Sequence, residues 1–526
     1  MGSAGSSTSS LLVRWLASSK VAERKWLLKE KESEDPNDDQ DDFDHAKREA
    51  EDLMGTDISR ESDLETLREI DTDGSSSGSS SPSASASSSS DADNSNDQGR
   101  TEILPHQKHF TSCIYEAQLS PDGTCVFTHD ERRKFSVYHI ANDILAATET
   151  RPLKPYAEFT SVASPIWAFA AHPHFNAQDS SSSYVLISRR NAYITLHNAL
   201  WDMSRNYDQE EAQALKSGPV DIFTPVTSYK LVDHQTEAVT APLSLAYSHD
   251  GAFFYAGKQN GIAIFDVEHT YDPIQTIATI PSRRNKLKGG GCGFKGFITA
   301  LALPPPNTSF SRGLLAAGSR TRHMGLYDAI SGEVVTDFLL PGTQSGVNKH
   351  IDDMQGIMGD GVHNLKWSPC GKYLYVAERF TDVLQIYDVR NFSLALGYCK
   401  SRKAFTKAKL GFDIWHSPYD TEATSHDIWA GGTDGNIRVW KDPHTKEGAI
   451  EPDEELAFDN EDKLPIVSTL VHPSGSLAVA ARGHLEVIDC VGDVEGDGLV
   501  SGGIERGGGL KPRYRERGSL DILGLG

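Results

Sequence analysis

The chain has 526 residues, 74 of them acidic and 51 basic, for a formal charge of −23. That length excludes a single small module and allows several domains or one large repeat domain with tails. The charge excludes a generic polyanion binder, so any nucleic-acid site must be local. The imbalance is uneven, since residues 1–100 hold 23 acidic and 11 basic groups and the other 426 hold 51 and 40.

The six cysteines form no C-x-x-C pair, which argues against a zinc module or a disulfide framework and points to a reducing compartment, nucleus or cytosol. No run approaches the roughly 18 apolar residues of a membrane span. Residues 1–100 read as a disordered acidic and Ser-rich tail, because runs such as Asp38-Asp39-Gln40-Asp41-Asp42 and Ser83 to Ser90 bury too little to offset ordering entropy. Within it, Leu11, Leu12, Trp15 and Leu16 with Trp26, Leu27 and Leu28 suggest, as an alternative, an amphipathic helix that docks on a partner. Met1-Gly2-Ser3-Ala4-Gly5-Ser6 fits a myristoylation pattern that Ser/Gly-rich starts match by chance, and the acidic residues from Glu30 argue against a long mitochondrial presequence.

From about Phe110 the pattern changes to short apolar or alternating runs bounded by Gly, Pro, Asp and Ser, which predicts strands and turns. One unit recurs seven times: a strand, a turn of the S-P-D-G type, a second strand, a polar turn, and a third strand that usually ends in an aromatic and a polar residue. Ser120-Pro121-Asp122-Gly123 is the turn of the first unit, Ser248-His249-Asp250-Gly251 of the third, and Ser368-Pro369-Cys370-Gly371 of the fifth, the cleanest. His472-Pro473-Ser474-Gly475 serves the seventh. The third strands end near Tyr138, His197, Phe265, Tyr327, Tyr387, Trp440 and Ile488. Their spacing exceeds the minimal WD repeat because long loops intervene, such as Trp201 to Thr227 and Pro341 to Asp360. Seven such sheets around an axis predict an all-β, seven-bladed WD-repeat β-propeller over residues 101–495, followed by a flexible Gly/Arg-rich tail over 496–526. A two-sheet sandwich and rings of six or eight blades are the alternatives.

No nucleophile elbow, phosphate loop or metal constellation stands out. Gly289-Gly290-Gly291-Cys292-Gly293 lacks the Lys-Ser/Thr of a phosphate loop and reads as a linker. His172, His249 and His472 recur at strand-to-turn positions, as repeat architecture alone would place them. His363 and Asp382 fit polar groups inside a blade. The expectation is a non-enzyme without metal, cofactor or small-molecule substrate. Basic clusters are the candidates for recognition: Arg283, Arg284, Lys286 and Lys288 in one Gly-flanked loop; Lys400, Arg402, Lys403, Lys407 and Lys409 between units five and six; Arg513, Arg515 and Arg517 around Tyr514. Such loops follow a phosphate backbone while aromatics stack on unpaired bases. A solvated face is the alternative for each.

Units four and five carry a resemblance. Phe297-Ile298-Thr299-Ala300-Leu301-Ala302-Leu303, then Ala316-Ala317-Gly318-Ser319-Arg320 and Gly325-Leu326-Tyr327, resemble the F-I-S-x-h-A-F and A-x-G-S-x-x-R-x-h-G-L-Y signature of the telomerase Cajal body protein family. Gly361-Val362, Leu365, Ser368-Pro369, Arg379 and Tyr387-Asp388-Val389-Arg390 continue it. The detailed likeness covers roughly a hundred residues, and the order of units covers most of the body. It implies a WD-repeat propeller that binds small Cajal body RNAs and escorts them, with telomerase RNA, in the nucleus; yeast-type relatives are linked to pre-mRNA splicing. By resemblance Arg320, Arg379 and Arg390 occupy basic positions of the family, although Arg390 equally suits closing a blade through hydrogen bonds. The chain departs from the family where a G-H-x-G run is expected before unit five, where Tyr387 replaces the Trp of W-D-L-R, and where His363 replaces a Thr.

Two functions therefore compete. One is a nuclear propeller that binds small nuclear RNA or telomerase RNA together with ribonucleoprotein partners through Arg283, Arg284, Lys286, Lys288, Arg320, Arg379, Arg390, Lys403 and Lys407, and acts in RNP assembly, trafficking or splicing. The other is a protein-only scaffold. Neither involves a membrane.

Overall fold

A computed structural model describes residues 13–19, 22–28, 100–102, 111–203, 218–233, 236–269, 272–280, 293–306, 313–341, 357–392, 394–458, 463–491 and 511–525. The chain forms two compact units, one of Met1–Arg24, His106–Glu486 and Arg515–Gly526, the other of Lys25–Pro105 and Val487–Tyr514. In the second unit, Trp26, Leu27 and Leu28 pair antiparallel with Glu102, Thr101 and Arg100.

The first unit is an all-β propeller of seven blades. Blade 1 runs outward from the axis as Ile114–Leu119, Cys125–Asp130, Lys134–His139 and Ala157–Thr160. The innermost strands of blades 2 to 7 are Ile166–Ala171, Ser244–Tyr247, Ile298–Ala302, Val362–Trp367, Phe412–Trp415 and Ile466–Val471. The strands alternate hydrophobic residues on both faces because each blade is packed between two others. Phe127 and Phe135 of blade 1 meet Phe169 and Val185 of blade 2, and Tyr229 and Phe254 do the same for blades 2 and 3.

Two terminal segments depart from the sequence reading. Val13–Ser18, placed by composition in the disordered tail or in a docking helix, is a strand, and it is the outermost strand of blade 7. Likewise Lys511–Leu525, assigned to a flexible tail, is a strand paired with Val13–Ser18 on one side and with Leu477–Val491 on the other. Leu520, Ile522 and Leu523 are fully buried, so apolar surface that the Gly/Arg-rich average conceals fixes this segment. Blade 7 is thus built from both ends of the chain, and its inner strand meets blade 1, where Ser468 Oγ accepts the Ala117 N–H at 3.0 Å. Such closure removes the long sheet edges that an open array would expose.

The recurring turns hold neighbouring blades together. In the S-P-D-G-type turns Gly123, Gly251, Gly371 and Gly475 have φ between 67° and 76°. At two of them glycine is needed for closeness as well as for φ, since a Cβ on Gly123 would lie 2.3 Å from His472 Nε2 and one on Gly251 2.4 Å from His172 Nε2. His172 and His472 therefore pack from one blade onto the turn of the next and have the architectural role weighed above. At the other end of the strands a polar side chain bonds the next blade: Ser188 Oγ to Pro242 O at 2.8 Å, Ser244 Oγ to Ile298 O at 2.9 Å, Thr299 Oγ1 to Val362 O, and His363 Nε2 to Leu410 O at 2.9 Å. His363, a departure from the family pattern, thus does for blade 5 what Thr299 does for blade 4.

Candidate nucleic-acid interface

Strand direction sorts the connections. Within a blade, neighbouring strands are antiparallel, so turns between the second and third strands, and the links from each fourth strand to the next blade, emerge at one end of the ring, here termed the upper end. Turns between first and second, and between third and fourth strands, emerge at the lower end.

The upper turns are basic. They carry Arg132-Arg133 in blade 1, Arg190 in blade 2, Arg320-Thr321-Arg322 in blade 4 and Arg379 in blade 5, and the link from blade 5 to blade 6 adds Lys400, Arg402, Lys403, Lys407 and Lys409. Glu131, Asp233, Glu237, Asp360, Asp382 and Asp434 lie among them at the described upper connections but are fewer. The lower connections are mainly acidic, with Asp122, Asp143, Asp250, Glu268, Asp272, Glu333, Asp420, Glu422 and Asp442. The ring is therefore polarised along its axis, although the chain as a whole is an anion.

Several upper cations are consumed by the fold. Arg322 is buried and makes a two-point bond to Glu378 of blade 5, at 2.6 and 3.0 Å, while its Nη2 also donates to Pro341 O at 2.8 Å. Arg402 is fully buried, with Nη2 donating to Gly411 O at 3.1 Å; burial lowers its pKa to about 9 despite the nearby Asp382 charge. Lys400 pairs with Glu451 at 2.8 Å.

Others are available, and they gather at blades 4 to 6. Arg320 and Lys403 are exposed, and Arg379 and Lys407 are half-buried. Arg379 is held by its backbone N–H to Gly361 O at 3.0 Å; burial and then the like charge of Arg320 lower its pKa, against the weaker pull of Asp360. Lys409, at the rim of the axial channel, is lowered by burial and further by Arg379, with Glu116 opposing. Burial acts to raise the Glu116 carboxyl, but the His129 hydrogen bond, the Lys409 and His129 charges and the Gln118 hydrogen bond together hold it below the usual range. The channel itself, about 420 Å³, is lined by all seven inner strands, and the Lys366–Asp413 pair at 2.6 Å joins the neighbouring blades 5 and 6 on its wall.

Aromatic rings alternate with these cations. Phe405 is 67% exposed and meets Phe380 edge to face at 5.5 Å between centroids, and Lys407 Nζ lies 5.6 Å from the Phe380 ring. Phe297, also exposed, accepts the Arg320 N–H through its carbonyl at 3.0 Å. Phe380 has φ 54°, Ser401 65° and Lys403 59°, so three non-glycine residues in the left-handed region crowd one small area. Strain of this kind costs on the order of 1–3 kcal/mol per residue and gathers where side chains must be aimed.

Of the nine sequence candidates, Arg320, Arg379, Lys403 and Lys407 come together here. Arg390 does not. It follows a third strand, Leu384–Asp388, and so emerges at the lower end, where its Nε donates to Asp388 Oδ1 at 2.9 Å. Arg283, Arg284, Lys286 and Lys288 lie outside the described residues, as does the glycine run up to Cys292; the strands on either side, Gln275–Ala278 and Ile298–Ala302, end and begin at the upper end. Of the third cluster, Arg515 and Arg517 lie in the blade 7 strand, 3.8 and 3.9 Å from Glu486. Phe297, Phe380 and Phe405, and the basic turns of blades 1 and 2, were missed. Among the described residues no group of three or more His, Cys, Asp or Glu side chains could hold a metal, and no helix is long and apolar enough to cross a membrane. Cys113, Cys125 and Cys399 are buried free thiols.

No family model matches the chain. It is 22% identical over 334 residues to Guanine nucleotide-binding protein negative regulator 1 of Schizosaccharomyces pombe, covering 62% of this chain and 70% of that one. To Telomerase Cajal body protein 1 of Mesocricetus auratus it is 23% identical over 400 residues, 73% of this chain and 60% of the relative. The Telomerase Cajal body protein 1 homolog of Drosophila melanogaster is 25% identical over 339 residues, 63% and 51% respectively. The chain thus spans between half and two thirds of the two Cajal body proteins it matches. Together with the seven-bladed ring, these relatives bear out the resemblance seen in units four and five: the chain is a WD-repeat propeller scaffold related to the telomerase Cajal body proteins.

Proposed function

We propose that the chain binds small nuclear, Cajal-body-type or telomerase RNA at the upper end of blades 4 to 6 and serves as a nuclear factor in RNP assembly, trafficking or splicing. The observation that carries this reading is the joint placement of Arg320, Arg379, Lys403 and Lys407 with exposed Phe297 and Phe405 on the one basic end of an acidic chain. Cations on such a surface follow phosphates, and rings at this spacing stack on unpaired bases. The names of the Cajal body relatives support the same partner class. Arg283, Arg284, Lys286 and Lys288 would extend the cationic surface from the link between blades 3 and 4.

Crosslinking followed by RNA sequencing tests the proposal. Small nuclear species should be enriched, and the enrichment should be lost when Arg320 and Lys403 are changed to Glu. Charge reversal of Arg283, Arg284, Lys286 and Lys288 should weaken capture while the ring stays folded. Recovery of abundant messenger and ribosomal fragments alone would favour a protein-only scaffold.

A further inference from the structure

Three blades cover their outer edge with a strand drawn from the following blade. Arg151–Pro152 pairs parallel with Val13–Ser18 of blade 7, Val220–Asp221 with Ala157–Thr160 of blade 1, and Gly448–Ile450 with Gly397–Cys399 of blade 5. In each case the added strand comes from the third-to-fourth connection of the next blade. The ring therefore accepts a fifth, parallel strand at its rim without distortion.

Blade 4 offers the longest uncovered edge among the described residues, Val334–Leu339. The connection that would cover it, 389–396 of blade 5, instead stacks Phe392 on Phe338 at 5.2 Å and adds no strand among its described residues. Val334 and Val335 are 48% and 61% exposed, and Ile330, just before the strand, is 73% exposed. Gln275 Nε2 of blade 3 donates to Ser331 O at 2.7 Å, which ties the turn before this strand to blade 3. Asp266, Glu268, Asp272, Asp328 and Glu333 surround this apolar rim, and neither 267–278 nor 329–339 contains a Lys or Arg. An open strand edge bordered by exposed aliphatic side chains is a template for another strand; neither this strand nor the blade 3 segment carries a blunting Lys or Arg, and Arg390 of the blade 5 connection is paired with Asp388.

We propose that the outer edge of blade 4 takes an extended segment of a protein partner as an added parallel strand, and that this segment alternates apolar and basic residues. Main-chain hydrogen bonds would supply the binding, Val334, Val335 and Ile330 would receive the apolar side chains, and the surrounding carboxylates would select the basic ones. The site is separate from the RNA surface, so either can fail without the other.

The test uses the full chain and a peptide of about ten residues alternating Lys and Val. Its binding is followed by fluorescence anisotropy and by amide hydrogen exchange. The expected result is saturable binding that protects the amides of 334–339 and falls at least tenfold in Val335→Lys, a change at an exposed position that keeps the melting temperature. A peptide of the same charge with methylated backbone nitrogens should bind at least tenfold more weakly, and a Glu/Val peptide should not bind. Equal binding by the methylated peptide would mean general attraction to an acidic chain and would overturn the proposal. So would protection elsewhere than 334–339, or edge amides already protected in the free protein, which would mean that another segment, such as 342–356, covers the edge.

Discussion

The RNA surface makes a quantitative prediction about salt. Each phosphate neutralised on a single strand adds about −0.7 to the slope of log K against log salt. Four contacts, from Arg320, Arg379, Lys403 and Lys407, give a slope of about −2.8, so raising salt from about 50 to about 200 mM should weaken binding about fifty-fold. Arg320→Ala removes one contact from an exposed side chain whose backbone N–H remains bonded to Phe297 O, so the fold is kept. Its slope should shrink to about −2.1, and the same salt step should then cost only about eighteen-fold. Phe405→Ala should behave differently. It removes a stacking platform worth about 1–3 kcal/mol per base and leaves the slope unchanged.

Filter binding or anisotropy with a short unpaired RNA across a salt series separates the two effects. Arg390→Ala is the internal control, because that side chain bonds Asp388 at the opposite end, and its slope and affinity should match the parent. A parent slope near zero, or a slope that Arg320→Ala leaves unmoved, would refute the reasoning. A slope that Arg390→Ala changes as much as Arg320→Ala would place the site at the wrong end of the ring.

Three further outcomes follow from the fold. Gly123→Ala should destabilise through both its positive φ and its collision with His472, whereas in a His472→Ala background only the φ cost of about 1 kcal/mol remains; urea melts of the four proteins would show this coupling, and strict additivity would contradict it. Ile522→Ala should cost about 2–5 kcal/mol, because that side chain is fully buried in the ring-closing strand; a change within error would mean that the segment is a tail after all. His426 is buried, with Nε2 2.6 Å from Tyr375 Oη, and burial, reinforced by the His444 charge, lowers its pKa to about 3. The folded state then binds fewer protons than the unfolded one between pH 6.5 and 3, so stability should fall as pH drops through that window, by up to about 1.4 kcal/mol per unit. His426→Phe should reduce the gradient between about pH 6.5 and 4.5 by one proton's share, since buried His197 and His363, lowered to about 4 and about 3, contribute in the same sense, and an unchanged gradient would show that the His426 imidazole is charged when folded.

The blades were legible because each carries its own local punctuation, a turn of S-P-D-G type and a strand ending in an aromatic residue. The closing strands were not. Val13–Ser18 and Lys511–Leu525 have no turn of their own, and what orders them is pairing with each other across the whole length of the chain. Composition read locally sees a Ser-rich start and a Gly/Arg-rich end. The cationic surface was half legible for a related reason. Runs of Lys and Arg were found because they are contiguous in sequence, but Arg320 and Arg379 stand 59 positions apart and meet only because both follow a second strand. The same parity would have separated Arg390, which follows a third strand. Counting strands before each charged turn is enough to divide the upper from the lower end.

That division bears on the acidic segment that precedes the ring. Residues 30–99 hold 22 acidic and 5 basic groups, and a segment of that charge would compete with RNA if it came within a Debye length of the cationic surface. Removing it should tighten RNA binding at low salt. Removing residues 1–100 is the wrong experiment, since it takes the outer strand Val13–Ser18 from blade 7 and would weaken binding by opening the ring. Leu28 and Arg100 pair in register, so a short Gly-rich turn can join them in place of 30–99 and leave both strands intact. With that excision the affinity gain should shrink as salt rises and vanish once the charges are screened. A gain that persists at high salt would mean that the segment blocks the surface by shape, and no gain at any salt would mean that it does not reach it.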